Sequence, residues 1–370
     1  MTIHSVGILG AGTMGSGIAI ATAPAGIAVT LVDTSAPQLD KALLTAKGFY
    51  DRAVEKNRMT AEAAEAALQR LTGADDLAAL ADCDLVIEAV FEDFDLKAKV
   101  FQALSGVLSE DALVATNTSC LRVSDLARHI AHPQRFLGLH YFSPAQINPL
   151  VEVVKGEATA PETFEAATAF VRATGKQPLA CRDSWGFAVN RFFCPYTNEA
   201  SRLIDEGLAT TAQVDRVAKT ALGVPAGPFF VQNIIKPRIN LNAIRNLAPL
   251  GAFYLPAAFL VAHGEADRPF AIAQDATGKA ENDAVVADRM RGATFLPILQ
   301  ELDEGVATAA DIDMGAEQAL RFTPPCRLMD QLGRAEVERL VAPLAAAYGL
   351  ARPTSLGRIG SLRGQKTDDR

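Results

Sequence analysis

Hydrophobic and polar positions along this chain follow two different periods. In the first half, short apolar runs at 5–9, 27–32, 84–90, 113–116, 136–142 and 150–154 are nearly continuous rather than alternating. Such runs suit strands buried on both faces of a parallel sheet. Between them lie stretches with helical spacing at 13–23, 35–71 and 96–104; in the second of these Leu43, Ala46, Phe49, Tyr50 and Ala53 recur on one side. Strands alternating with helices predict an α/β domain. From about Ser184 onward the strand signal fades and the chain reads as helices to its end, an all-α region.

That helical region repeats itself. The series Arg191, Asp205-Glu206-Gly207, Ala209-Thr210, Val214-Asp215 and Ala221-Leu222 recurs in the same register as Arg289, Asp303-Glu304-Gly305, Ala307-Thr308, Ile312-Asp313 and Ala319-Leu320. A fixed register over about thirty residues predicts a duplicated helical unit. The expected division is therefore 1–182, 183–270 and 271–370, with a polar connection at 262–288 and a mobile tail from about Ser355.

The junction of the first strand and helix carries Gly10-Ala11-Gly12-Thr13-Met14-Gly15, and Asp33 follows the second strand about twenty residues later. Gly10 suits a tight turn, Gly12 lets backbone approach a pyrophosphate, and Gly15 lets helix and strand pack closely. The N–H groups at the start of the helix, from Thr13 and Met14 on, suit the phosphates. Asp33 would accept hydrogen bonds from a ribose diol and repel a 2′-phosphate, so the expected cofactor is NAD rather than NADP. The N-terminal domain is accordingly expected to be of Rossmann type.

Composition narrows the picture. A chain of 370 residues with 49% hydrophobic and 21% charged content is long enough for two globular domains. With 43 acidic against 35 basic residues and a net charge of -8, it has no basic field to attract nucleic acid. The uncharged stretch 5–32 lacks flanking basic residues and is broken by glycines and Pro24, so neither a signal peptide nor a membrane span is expected. Cys83, Cys120, Cys181, Cys194 and Cys326 show no CxxC or His-rich spacing, which predicts no metal site and reduced thiols in a cytoplasmic protein.

Candidate chemistry lies in three runs: Asn117-Thr118-Ser119, Leu139-His140-Tyr141-Phe142-Ser143-Pro144 and Leu150-Val151-Glu152-Val153-Val154. His140 falls at the end of an apolar strand, where an α/β sheet presents ligands, and Glu152 on a neighbouring apolar strand. Two readings are open from the residues alone. His140 is a satisfied core histidine and Glu152 an edge carboxylate, or the pair is a base and the carboxylate that orients it.

GAGTMG, DLVIEAVFED, NTS, LHYFSP, LVEVV and GFAVNR, in this order, resemble the L-3-hydroxyacyl-CoA dehydrogenase family over residues 1 to about 230. The second helical copy resembles the tandem C-terminal units of multifunctional β-oxidation enzymes. The resemblance implies NAD-dependent interconversion of 3-hydroxyacyl and 3-oxoacyl thioesters, with His140 as base and Glu152 orienting it. It implies that Ser119 and Asn190 hold the substrate, with Ser143 beside it. It also places Glu92, Lys97 and Asn117 with the cofactor. Lys47 and Lys56, on the hairpin after the second strand, would meet the adenine nucleotide of CoA. From the residues alone, Glu92 and Lys97 equally fit a solvated helix start, Ser119 a strand-end turn, Asn190 a polar helix N-terminus, and the two lysines a wet helix face.

Three departures from the family stand out: Ser143 where many members carry asparagine, Trp185 where proline is common, and the segment 231–259. That segment brings Lys236, Arg238, Arg245, Phe253 and Tyr254 into one stretch, which suits either a different acyl pocket or a helix packed between the two copies. The expected substrate is an acyl-CoA or similar thioester, and the expected form is a pseudo-dimeric monomer or a homo-oligomer. The competing expectations are a related dehydrogenase of a carrier-protein thioester or free hydroxy acid, and an NAD(H)-binding protein without turnover.

Overall fold

The computed structural model describes residues 2–273 and 278–364. It divides into two compact units, Met1–Asp183 and Ser184–Arg370.

The first unit runs β1 (Ser5–Leu9), α1 (Thr13–Thr22), β2 (Ala28–Val32), α2 (Ala36–Glu55), α3 (Ala61–Leu68), β3 (Leu71–Ala74), β4 (Leu85–Glu88), α4 (Phe94–Leu104), β5 (Leu113–Thr116), α5 (Val123–Leu126), β6 (Phe136–Tyr141), β7 (Leu150–Lys155), α6 (Pro161–Ala173) and β8 (Gln177–Arg182). Sequence explains the boundaries: Thr60 and Asp93 accept N–H bonds that cap α3 and α4, and Pro161 stands in the first turn of α6. The sheet has the order β3-β2-β1-β4-β5-β6-β7-β8, parallel throughout except for the antiparallel pair β6/β7. Its central strands are buried on both faces: Ile8, Ile87, Ala115 and Leu137 on one, and Val86, Val114 and Phe136 on the other. Strand order reverses at β1, so the crevice for a ligand opens at the carboxyl ends of β1 and β4.

Two strands escaped the pattern, β3 and β8, and both are sheet edges. In β8 only Leu179 and Cys181 are buried, alternating with more exposed neighbours, and Pro178 is tolerated because an edge strand has one side without a ladder. The stretch 35–71 resolves into a two-helix hairpin, α2 and α3, whose last residue belongs to β3.

The second unit runs α7 (Asn190–Asp205), α8 (Thr211–Leu222), α9 (Pro228–Ile235), α10 (Pro237–Asn246), α11 (Ala258–Glu265), α12 (Asp283–Glu304), α13 (Ala309–Leu320), α14 (Pro325–Leu332) and α15 (Arg334–Ala347). The duplication extends well past the thirty residues legible in the sequence. Thr210 caps α8 and Thr308 caps α13. Asp215 accepts the N–H groups of Phe229 and Phe230 at 2.8 and 3.0 Å as α9 begins, and Asp313 accepts that of Cys326 at 2.7 Å in the first turn of α14. Asp205 receives the N–H of Phe259 in α11, and Asp303 those of Thr354 and Ser355 in a 3₁₀ turn.

The copies meet where α7 packs on α12. Arg191 of the first binds Glu304 of the second at 2.6 Å, and Arg289 of the second binds Glu206 of the first at 2.8 and 2.9 Å. The shift in numbering that carries Arg191 to Arg289 also carries Glu206 to Glu304. The contact is therefore self-complementary, as across a twofold axis, though both halves lie on one chain.

Two expectations need correction here. The segment 231–259 does not gather its basic and aromatic residues: Lys236 and Arg238 are exposed, and Arg245 pairs with Glu265 at 2.7 Å. Phe253 and Tyr254 are instead buried in the core of the unit, beneath the guanidinium groups of Arg202 and Arg191. The segment forms α9, α10 and the approach to α11, the first copy's counterparts of α14 and α15, not a helix inserted between copies. The chain from Ser355 is also not loose as far as it is described: Ser355 and Leu356 are buried in the turn that Asp303 holds. Residues 365–370 lie outside the described residues, as do 274–277 of the connection.

Burial raises Asp215 from 3.8 to about 6, despite its two N–H partners. Between those values the folded chain holds more protons at this site than the unfolded chain, so stability from this group falls as pH rises. The stability advantage of the unaltered protein over Asp215→Asn should shrink from pH 4 to pH 6 in urea unfolding; an advantage that grows with pH would contradict this.

Candidate active site

The Gly-rich turn lies between β1 and α1, at the reversal point of the sheet. Gly10 has φ +105°, and a Cβ on it would stand 2.6 Å from the carbonyl oxygen of Ala89 beyond β4. A Cβ on Gly15 would stand 1.8 Å from the carbonyl oxygen of Gly10, so only glycine lets α1 start this close to the turn. Gly12 differs: a Cβ there would meet nothing within 4 Å, and it would point into open space. No side chain caps α1 and its first turn holds no acid, leaving the N–H groups from Thr13 and Met14 onward and the positive end of the helix dipole to a ligand. Asp33 closes β2 beside this turn, its carboxylate accepting N–H bonds from Ala11 at 2.8 Å and Ser35 at 2.9 Å. An uncapped helix start, an open glycine and a carboxylate at the end of the next strand fit a dinucleotide with an unphosphorylated ribose.

Three strands along from β1, at the carboxyl end of β6, His140 pairs in antiparallel register with Glu152 of β7. Its Nδ1 lies 2.6 Å from Glu152 Oε2, and the two residues are 4% and 0% exposed. An ionised carboxylate can only accept, so with Glu152 ionised this contact requires the proton on Nδ1. The ring lies 4.4 Å from that of Phe142. Ser143 and Pro144 follow on an exposed turn, which Lys176 fastens from below by donating to the carbonyl oxygens of Ala145 and Asn148, both at 2.7 Å. Burial lowers the pKa of this lysine from 10.5 to about 8.

Between the turn and this pair lies a polar network that joins Glu92, Lys97, Asn117 and Ser119 through a residue absent from the expected site, Glu88. Glu88, the last residue of β4, is fully buried. Its Oε1 accepts from Lys97 Nζ at 2.6 Å and from the Val90 N–H at 2.8 Å, and its Oε2 from Thr116 at 2.6 Å. Lys97, 1% exposed, also faces Glu92 at 3.3 Å. Glu92 in turn receives the hydroxyl of Thr118 at 2.6 Å and the N–H of Ser119 at 2.8 Å. Lys97 is therefore not part of a solvated helix start, and Glu92, though exposed, fixes the loop bearing Ser119. Asn117 links that loop to the end of β6, accepting the N–H of Tyr141, next to His140, at 2.8 Å. The available signal for Glu88 was an acid closing the apolar run LVIE, where burial demands a cation.

The remaining candidates lie on other elements. Lys47 is exposed on α2 and pairs with Asp51 at 2.8 Å, and Lys56 is exposed at the end of the same helix. Asn190 belongs to the second unit, where it is the first residue of α7. The five cysteines are buried free thiols. Among the described residues no helix is long and apolar enough to cross a membrane.

Comparison with known proteins gives a consistent result. Residues 5–184 match the family model described as 3-hydroxyacyl-CoA dehydrogenase, NAD binding domain, and residues 186–259 that described as 3-hydroxyacyl-CoA dehydrogenase, C-terminal domain. The 3-hydroxybutyryl-CoA dehydrogenase of Bradyrhizobium diazoefficiens is 40% identical over 233 residues, 63% of this chain and 80% of that protein. A fatty acid oxidation complex subunit alpha from Shewanella amazonensis is 32% identical over 92% of this chain, which spans 53% of that longer protein. The crystal structure of 3-hydroxybutyryl-CoA dehydrogenase from Escherichia coli K12 superposes with a TM-score of 0.86 at 26% identity, covering 98% of this chain and 99% of that one.

Removing the cation from the network should be costly, because Glu88 would stay buried with its charge unbalanced. Lys97→Met should lower the unfolding free energy by about 3–5 kcal/mol in urea titration, and adding Glu88→Gln should restore part of it. A loss under about 1 kcal/mol would show that the pair is not held as described.

Proposed function

The chain belongs to the 3-hydroxyacyl-CoA dehydrogenase family, an NAD-dependent oxidoreductase family, and from that premise we propose that it interconverts 3-hydroxyacyl-CoA and 3-oxoacyl-CoA with His140 as the acid–base residue. The observation that supports this assignment most directly is the 2.6 Å contact of His140 with Glu152 at the carboxyl edge of the sheet. Bound NAD supplies the site that accepts or returns the hydride. His140 takes the hydroxyl proton at Nε2, and Glu152 keeps Nδ1 protonated and stabilises the imidazolium that results. Ser119 and Asn190 hold the substrate oxygen and pose, with Ser143 beside them. Gly10, Gly12, Thr13, Met14, Gly15 and Asp33 hold the dinucleotide. Glu92, Lys97 and Asn117 shape its nicotinamide end by fixing the 117–120 loop.

Lys47 and Lys56 are assigned to the CoA nucleotide as exposed cations on α2. The working division remains 1–182, 183–270 and 271–370, with the two helical copies forming a pseudo-dimer within one chain. Five buried free thiols suit a reducing, cytoplasmic setting.

The test follows NADH absorbance with acetoacetyl-CoA. Turnover should be slower with NADPH, fall about 10³-fold in His140→Ala and fall less in Glu152→Gln. If NADH binds and no CoA ester reacts, the CoA assignment fails, and carrier-protein thioesters and free hydroxy acids become the substrates to try.

A further inference from the structure

We infer that Glu304, on the second helical copy, is a positioning residue for the reaction: acting through Arg191, it holds the end of α7 that carries Asn190. The inference rests on the role proposed above for Asn190. Arg191 is the next residue, and it is 1% exposed. Its guanidinium donates to Ser184 Oγ at 2.9 Å, to the Tyr254 hydroxyl at 3.3 Å and to Glu304 at 2.6 Å. Ser184 opens the loop leading into α7. That loop turns back at Gly186 (φ +77°) and Phe187 (φ +52°), and the Arg191 N–H closes it on the Gly186 carbonyl at 3.1 Å. One buried guanidinium thus ties the loop's start, the first turn of α7 and the last turn of α12 into one frame. A guanidinium stays charged when buried, and besides Glu304 the fully buried carboxylate of Glu301 also attracts it, so without Glu304 it is drawn toward Glu301, carrying the loop and Asn190 with it. Displacements of an ångström at a substrate-holding group are enough to slow catalysis severely.

The duplication supplies its own control. In the mirror-related contact Arg289 is bound by Glu206, and it keeps Glu199 as a further partner. The residue before Arg289 is Asp288, where the first copy has Asn190. Asp288 is held by Arg339 in a two-pronged contact at 2.6 and 2.9 Å, a structural ion pair. Glu206→Gln therefore removes the same kind of bond with no substrate-holding residue beside it. The chain's single tryptophan, Trp185, lies in the loop that Arg191 closes and reports on its placement.

The full-length protein, Glu304→Gln, Glu206→Gln, Asn190→Ala and Asn190→Ala/Glu304→Gln are compared. Glu304→Gln should lower kcat/KM for acetoacetyl-CoA about tenfold, leave NADH affinity by calorimetry within about twofold, and shift Trp185 emission. Glu206→Gln should change kcat/KM by less than about twofold and leave that emission in place. The double variant should match Asn190→Ala, because the effect of Glu304 passes through Asn190. Equal catalytic losses in Glu304→Gln and Glu206→Gln, or losses that add in the double variant, would overturn the inference. An unaltered protein that binds NADH and turns over no CoA ester would instead overturn the reading of the site, and the inference with it.

Discussion

The constraint on which most of the first unit depends is a carboxylate with no access to water. Glu88 stands at the carboxyl end of a central strand, between Leu9 and Thr116 in register. A charge in that position is tolerable only if every lone pair is met and a cation is brought to it. The cation is Lys97, which fixes the first turns of α4 against the sheet edge. Because Lys97 also faces Glu92, the 117–120 loop is pinned, and Asn117 carries that order to the strand end bearing His140. One buried acid thereby aligns three strand ends that are far apart in sequence.

The second unit solves a different problem, that of giving a helix bundle a defined partner. Its two copies share caps, turns and buried aspartates, and they join through reciprocal arginine–glutamate contacts. They diverge at the residue before the reciprocal arginine: Asn190 in one copy stands against Asp288 in the other, an amide against an acid paired with Arg339. The turn between α9 and α10 shows the same drift, with Lys236 at φ +88° where the second copy has Gly333 at +80°.

Much of this was legible from the chain. Continuous apolar runs located the six strands with strong burial, and the glycine spacing located the crevice, because each signal arises from local sterics. His140 and Glu152 were legible as a pair once they fell on adjacent strands. The edge strands β3 and β8 were not, since a strand buried on one side with a proline or glycine in it resembles a loop. The partners of Glu92 and Lys97 were hidden for another reason: a lysine on a helix looks solvated until the sheet shows an acid beneath it. The full extent of the duplication was likewise hidden, because a buried aspartate capping the next helix leaves only one letter in the sequence.

The joining of the two copies on one polypeptide has a consequence for how the frame around Arg191 responds to dilution. A carboxylate supplied by a separate molecule would be present only in proportion to how much of that molecule is bound, and it would be lost as concentration falls. Here Glu304 is tethered to Arg191 by the intervening chain, so its effective concentration is set by the linker rather than by the solution. The support it gives is a constant of the molecule, the same in one isolated chain as in a crowded cell.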